Sequence, residues 1–206
     1  MHHTSPAKLI ERYGIISDQV ESRELKTILD ELQKILERGT AGLVVEFGCY
    51  VGTTSVYIQR VLDMYEPREF HVYDSFAGLP EKTSHDSSPA GEQFKAGELY
   101  AAKKEFIMNF RRAGLTLPRI HKGWFNELSP NDVPENIAFA FLDGDYYESI
   151  TESLTLIWPK LDRGAVVVVD DYMNEALPGA QKAVDAWLKL HPAKLSTMHS
   201  LAIIHI

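Results

Sequence analysis

Hydrophobic positions along the 206-residue chain fall into two rhythms. Over residues 17–38, Val20, Leu25, Ile28, Leu29, Leu32, Ile35 and Leu36 recur at steps of three and four, which predicts a helix with one buried face, stopped by Gly39. The second rhythm is short and unbroken. Residues 43–47, 69–73, 137–142 and 165–169 are compact runs rich in apolar and β-branched side chains, with a briefer one at 119–121. Between them, residues 53–65, 99–113, 147–161 and 179–190 predict helices, and 194–197 and 201–206 two closing strands. Strands with continuous rather than alternating hydrophobicity, separated by helices, predict a parallel sheet covered on both faces, an α/β fold. Residues 75–97 follow neither rhythm: they are polar and punctuated by Gly78, Pro80, Pro89 and Gly91. A loop of that length and polarity predicts a lid, mobile without ligand.

Composition narrows the class. With 45% apolar and 24% charged residues, the chain reads as one globular domain, residues 1–40 being an N-terminal helical segment of the same domain as 41–206. A net charge of −8 argues against nucleic acid or an anionic membrane surface as partner. The longest apolar runs, at 137–142 and 165–169, fall far short of the ~20 residues that span a bilayer. Residues 1–5 carry two histidines and no apolar segment, so no signal peptide is expected. Cys49 stands alone, which excludes an intrachain disulfide and a cysteine zinc site; a reducing, cytoplasmic setting is expected.

In open α/β sheets, ligands bind beyond the carboxyl ends of the strands. After the first strand run Glu46-Phe47-Gly48-Cys49-Tyr50-Val51-Gly52-Thr53-Thr54-Ser55, and after the second comes Asp74. The glycines allow a tight turn and a close approach to a ligand, and the next helix opens with free amides. A carboxylate at Asp74 suits the hydroxyls of a ribose. Gly48-x-x-x-Gly52 lacks the third glycine of a dinucleotide fingerprint, and Glu46 would repel a pyrophosphate while suiting an ammonium group. S-adenosylmethionine has a ribose, a sulfonium and an amino-acid end, and no phosphate. Trp124 and Phe125 follow the third strand, placed to stack on an adenine or simply to pack. A second constellation is acidic: Asp143-Gly144-Asp145 after the fourth strand and Asp170-Asp171-Tyr172 after the fifth. On neighbouring strands, ~4.8 Å apart, these carboxylates would repel unless a cation neutralised them. Oxygen-only donors suit Mg2+ or a similar hard ion; the plainer alternative is that Asp145 caps a helix and Asp170 and Asp171 are solvated. The histidines at 71, 121, 191, 199 and 205 read as structural or surface residues.

Taken together, these motifs resemble class I S-adenosylmethionine-dependent methyltransferases of the macrocin O-methyltransferase-like family. The resemblance is carried by Glu46 to Gly52, Asp74-Ser75-Phe76-Ala77-Gly78-Leu79-Pro80, Lys122-Gly123-Trp124-Phe125, Leu142 to Ser149, Asp170-Asp171-Tyr172 and Gly179-Ala180-x-x-Ala183-Val184, in order over residues 44–188. It implies a seven-stranded sheet whose last strand is antiparallel, and methyl transfer to a hydroxyl of a small molecule, such as a sugar of a natural product. It implies S-adenosyl-L-methionine held by Glu46, Gly48, Tyr50, Gly52, Thr53, Ser55, Asp74, Ser75, Gly123, Trp124 and Asp143, and Mg2+ held by Asp143, Asp170 and Asp171. Catechol-type relatives place a lysine where this chain has Tyr146, so Asp145 becomes the candidate base, with Asp143 able to exchange roles with it. The resemblance also implies a homo-oligomer. Alternatives are a catechol-like phenol as acceptor, an NAD-linked oxidoreductase, and a non-catalytic subunit that binds S-adenosylmethionine.

Overall fold

The computed structural model describes residues 4–91 and 93–206. Helices α1 (Pro6–Tyr13) and α2 (Ser22–Glu37) lead into β1 (Leu43–Phe47), α3 (Thr53–Leu62) and β2 (Phe70–Asp74). After a long loop come α4 (Lys103–Ala113), β3 (Arg119–Lys122), β4 (Ile137–Leu142), α5 (Tyr147–Ile157), β5 (Leu161–Val169), α6 (Pro178–Leu190), β6 (Lys194–Met198) and β7 (Leu201–His205). The sheet order is β3-β2-β1-β4-β5-β7-β6. Strands β1 to β5 pair in parallel, and β7 runs antiparallel to both β5 and β6. This is the seven-stranded, mostly parallel α/β sandwich that the sequence implies.

Alternation along the buried strands builds two apolar layers. Val166 and Val168 face α2 and α3, packing with Leu32, Ile58 and Phe139; Val167 and Val169 face α5 and α6, packing with Leu154 and Val184. The six residues of β4 are all buried, which is why that strand reads as an unbroken apolar run. β1 and β4 are neighbours, yet the chain leaves β1 toward β2 on one side and β4 toward β5 on the other. That reversal opens a crevice at their carboxyl ends.

The differences from the expected boundaries have local causes. The helix expected over 17–38 begins at Ser22, because residues 17–21 turn along the cavity mouth, which Asp18, Gln19 and Glu21 line. α1 is too short, with Leu9 and Pro6 its only buried residues, to declare a period. α5 stops at Ile157, since Pro159 has no amide hydrogen for the next turn, and residues 158–160 tighten into a 3-10 turn. β5 starts at Leu161, through half-buried Leu161 and Asp162 and exposed Arg163 and Gly164, a stretch too polar to read as a strand. Among the described residues, no helix is long and apolar enough to cross a membrane.

Candidate active site

The carboxyl ends of β1, β2, β4 and β5 open into one cavity of about 1280 Å³. Leaving β1, the chain turns through Gly48, Tyr50 and Gly52, all with positive φ, before α3 begins. Asp74, at the end of β2, ties this turn down. Its Oδ2 accepts the amides of Cys49 (2.8 Å) and Tyr50 (3.1 Å), and its Oδ1 accepts that of Phe76 (2.6 Å). A carboxylate offers about four acceptor positions, so capacity remains toward the cavity that Asp74 also lines.

Gly48 answers to a protein neighbour. A Cβ there would lie 1.7 Å from the Asp143 carbonyl oxygen, so only glycine lets the loop of β1 press against the end of β4. Gly52 likewise rests on the Phe106 ring, 2.8 Å from where its Cβ would be. Glu46 is wholly buried beneath the turn. Its Oε2 accepts the Ser55 hydroxyl, its Oε1 has no partner, and burial pushes its pKa up to about 8. The structure therefore divides the expected cofactor residues. Gly48, Tyr50, Asp74, Ser75 and Trp124 are in the cavity wall, along with Asp143. Glu46, Gly52, Thr53, Ser55 and Gly123 stand outside it; Thr53 reaches Ser17, and the Gly123 amide donates to the Asp74 carbonyl. His71 and His121 bond to each other, outside the wall, as structural residues would.

The acidic end lies beside this turn. Leu142 is paired with Val169, so Asp143 and Asp170 leave neighbouring strands side by side. Asp143, Asp145 and Asp171 each offer a carboxylate oxygen, all within 4.8 Å of one another. Asp170 has a different attachment: its Oδ1 accepts the Asp171 amide (2.8 Å) and lies 3.1 Å from Ser200 Oγ, which also contacts Glu24 Oε1 (2.7 Å). Of the expected metal ligands, Asp143 and Asp171 are in the converging set, and Asp145, expected as the base, is its third member. Burial first, then mutual repulsion, raises all four aspartates: Asp143 well above the usual range, and Asp145, Asp170 and Asp171 to about 7. Buried, crowded, hard oxygen donors are the set that a Mg2+-like cation satisfies. Asp145 does not cap α5. That role falls to Asp86, whose Oδ1 accepts the Tyr147 amide at 2.7 Å.

The family model for Macrocin-O-methyltransferase (TylF) matches residues 16–199. The chain belongs to the macrocin-O-methyltransferase family. It is 33% identical over 160 residues to 8-demethyl-8-(2,3-dimethoxy-alpha-L-rhamnosyl)-tetracenomycin-C 4'-O-methyltransferase of Streptomyces olivaceus, covering 72% of this chain and 61% of that one. To mycinamicin III 3''-O-methyltransferase of Micromonospora griseorubida it is 28% identical, over 82% of this chain and 69% of the relative. The chain thus spans about three fifths to two thirds of the length of these curated relatives. Among solved structures, the O-methyltransferase NovP superposes with a TM-score of 0.79 at 26% identity, covering 90% of this chain and 80% of that one. Calicheamicin methyltransferase CalS11, at 20% identity and a TM-score of 0.74, shares the fold over 100% of this chain and 94% of its own.

Several residues of this macrocin-O-methyltransferase family member reach the site without a signal along the chain. Glu24 and Ser200 lie far apart in sequence and meet only through the tertiary fold. Asp86, which is not in the cavity wall but caps α5 behind it, sits in a polar stretch with no period. Glu148 and Glu152 were open to reading, because acids four apart at the start of a helix share a face.

Proposed function

We propose that this chain transfers a methyl group from S-adenosylmethionine to a hydroxyl of a small molecule, a sugar carried by a natural product, with help from a divalent cation, Mg2+. One observation carries the reading: the Gly48–Tyr50 turn with Asp74, and the converging Asp143, Asp145 and Asp171, open into the same cavity. Asp74 and Ser75 would hold the ribose, and the Trp124 ring would cover the adenine. Asp143 and Asp171 would hold the cation, with Asp170 and Ser200 behind them and Asp145 beside it. Bound there, the cofactor would supply a reactive methyl and the cation would lower the pKa of the acceptor hydroxyl.

The chain's own contribution is alignment and proton handling. Asp145, which burial above all raises to about 7, can take a proton near neutral pH. We assign the base to Asp145, which is nine-tenths buried and lines the cavity. The rhamnosyl-bearing compound in the name of the Streptomyces olivaceus relative favours a sugar hydroxyl over a catechol-like phenol. Family membership speaks against an NAD-linked oxidoreductase, and the converging aspartates against a non-catalytic binding subunit.

The test has two steps. Calorimetric titration should show binding of S-adenosylmethionine and none of NAD. Transfer of an isotopically labelled methyl to a panel of glycosylated natural products and catechols should then favour a glycoside, stop in chelator, and resume with Mg2+. Failure to bind S-adenosylmethionine would overturn the reading. Full transfer in chelator would remove the cation and leave Asp143 or Asp145 as a metal-free base.

A further inference from the structure

Asp171 joins the converging carboxylates from a backbone turned to a φ of 57°, the left-handed region that a residue with a Cβ adopts at a cost. Three bonds within its own turn shape that conformation. Its amide donates to Asp170 Oδ1 (2.8 Å), its Oδ1 accepts the Asn174 side-chain amide (2.9 Å), and its carbonyl accepts the Asn174 backbone amide (3.1 Å).

Ser200, between β6 and β7, anchors the turn from outside. Its carbonyl accepts the Met173 amide (2.9 Å), and its hydroxyl lies 3.1 Å from the same Asp170 Oδ1 that receives the Asp171 amide. Ser200 is held in turn by Glu24, whose Oε1 lies 2.7 Å from the hydroxyl and accepts the Ser200 amide at 3.4 Å. One hydroxyl proton serves two carboxylates, and the amide bond keeps Ser200 on Glu24 while that proton turns to Asp170. Glu24 occupies the third position of α2, where an acid ordinarily reaches back to the first amides of its own helix. Here its Oε1 crosses to a residue 176 positions along the chain. Two side chains thereby tie α2 to the turn that carries Asp171.

We propose that Glu24 and Ser200 are positioning residues for the cation: by fixing Asp170 Oδ1, they hold the Asp171 backbone in the conformation that brings its carboxylate to Asp143. Neither belongs to the converging set. Glu24 acts here as a hydrogen-bond acceptor and not through its charge. The inference rests on the cation reading of the cavity, and adds the N-terminal helix α2 and the β6–β7 hairpin to the parts that set cation affinity.

The experiment titrates Mg2+ calorimetrically into the full chain, for the parent and for Ser200→Ala, Glu24→Ala and Glu24→Gln, with melting temperatures recorded in the absence of the ion. Each alanine variant should bind Mg2+ about fivefold or more weakly than the parent. Glu24→Gln should stay within about twofold of the parent, because its amide oxygen accepts the same two bonds. Affinity for S-adenosylhomocysteine, measured alongside, should hold in every variant; a matching loss there would mark a general distortion of the cavity and overturn the proposal. Equal losses of Mg2+ affinity in Glu24→Ala and Glu24→Gln would assign the effect to charge near the ion and overturn it as well. So would unchanged Mg2+ binding in either alanine variant, whatever the melting temperature, since an acid that only supports the first turn of α2 alters stability alone. Should Glu24→Ala fail to fold, Ser200→Ala against Glu24→Gln carries the same contrast. A parent that binds no Mg2+ undoes the cation reading and this inference together; a parent that binds Mg2+ with both alanine variants unaffected undoes this inference alone.

Discussion

Glu46 shows how a single buried acid makes stability depend on pH. Its pKa rises from an ordinary 4.5 to about 8 in the folded protein, chiefly through burial. Between those values the folded chain holds a proton that the unfolded chain has released, so stability falls as pH climbs from about 5 to 8. Below that window both states are protonated and nothing is lost; above it the loss is complete, on the order of a few kcal/mol at about 1.4 kcal/mol per unit. Glu46→Gln should therefore melt at a temperature that exceeds the parent's by a margin growing with pH, a trend that thermal scans from pH 5 to 8 would reveal or refute. Asp74 gives a second prediction. Asp74→Ala removes the acceptor of the Cys49 and Tyr50 amides as well as a ribose partner, so S-adenosylmethionine affinity should drop roughly tenfold to a hundredfold, with a stability loss of about 1–3 kcal/mol. Unchanged calorimetric binding would show that the residue serves the loop alone. Among the aspartates, Asp143→Asn and Asp171→Asn should each weaken Mg2+ binding about tenfold or more, and Asp170→Asn less, because its Oδ1 is already engaged by Asp171 and Ser200. Equal losses in all three would place Asp170 among the direct ligands.

At the scale of elements, the long segment between β2 and α4 departs most from expectation. Its sequence reads as a free lid, yet Asp86 is buried in it and bonds on both sides. Oδ2 accepts the Thr83 amide and hydroxyl, while Oδ1 caps α5 at Tyr147. His85 stacks on Tyr147 at 4.0 Å, and Ser88 donates to the Glu175 carbonyl. Gly179 makes room for the contact, since a Cβ there would come within 1.9 Å of Asp86 Oδ1. Two unrelated substitutions, Asp86→Ala and Gly179→Ala, should then have one outcome: a loss of about 1–3 kcal/mol and faster proteolytic cutting within residues 75–97. Cutting no faster than in the parent would mean that the segment is held elsewhere. This docking was invisible in the sequence because a trans cap depends on where a helix end lies in space, and composition records only that the stretch is polar. β4 is the opposite case, since complete burial writes itself into the chain as six apolar residues.

Across the whole molecule, the sheet was legible because every central strand is covered on both faces, and the acidic pairs were legible because they follow strands without an intervening residue. Which carboxylates converge was not legible. Asp145 enters the cluster through a positive φ of 58°, and Asp170 turns to a serine thirty residues away, neither of which spacing reveals. The contact between Gly48 and the Asp143 carbonyl ties these scales together. It joins the turn that would carry the donor to the strand end that would activate the acceptor, backbone against backbone, with no side chain between them. The span between the two reacting partners is thereby set by the spacing of two hydrogen-bonded strands, a length that side-chain substitution cannot retune. Under the proposed function, acceptor preference would be set elsewhere, by the other walls of the cavity. A lineage could therefore rewrite those walls for one new acceptor after another while the ruler beneath them keeps its length.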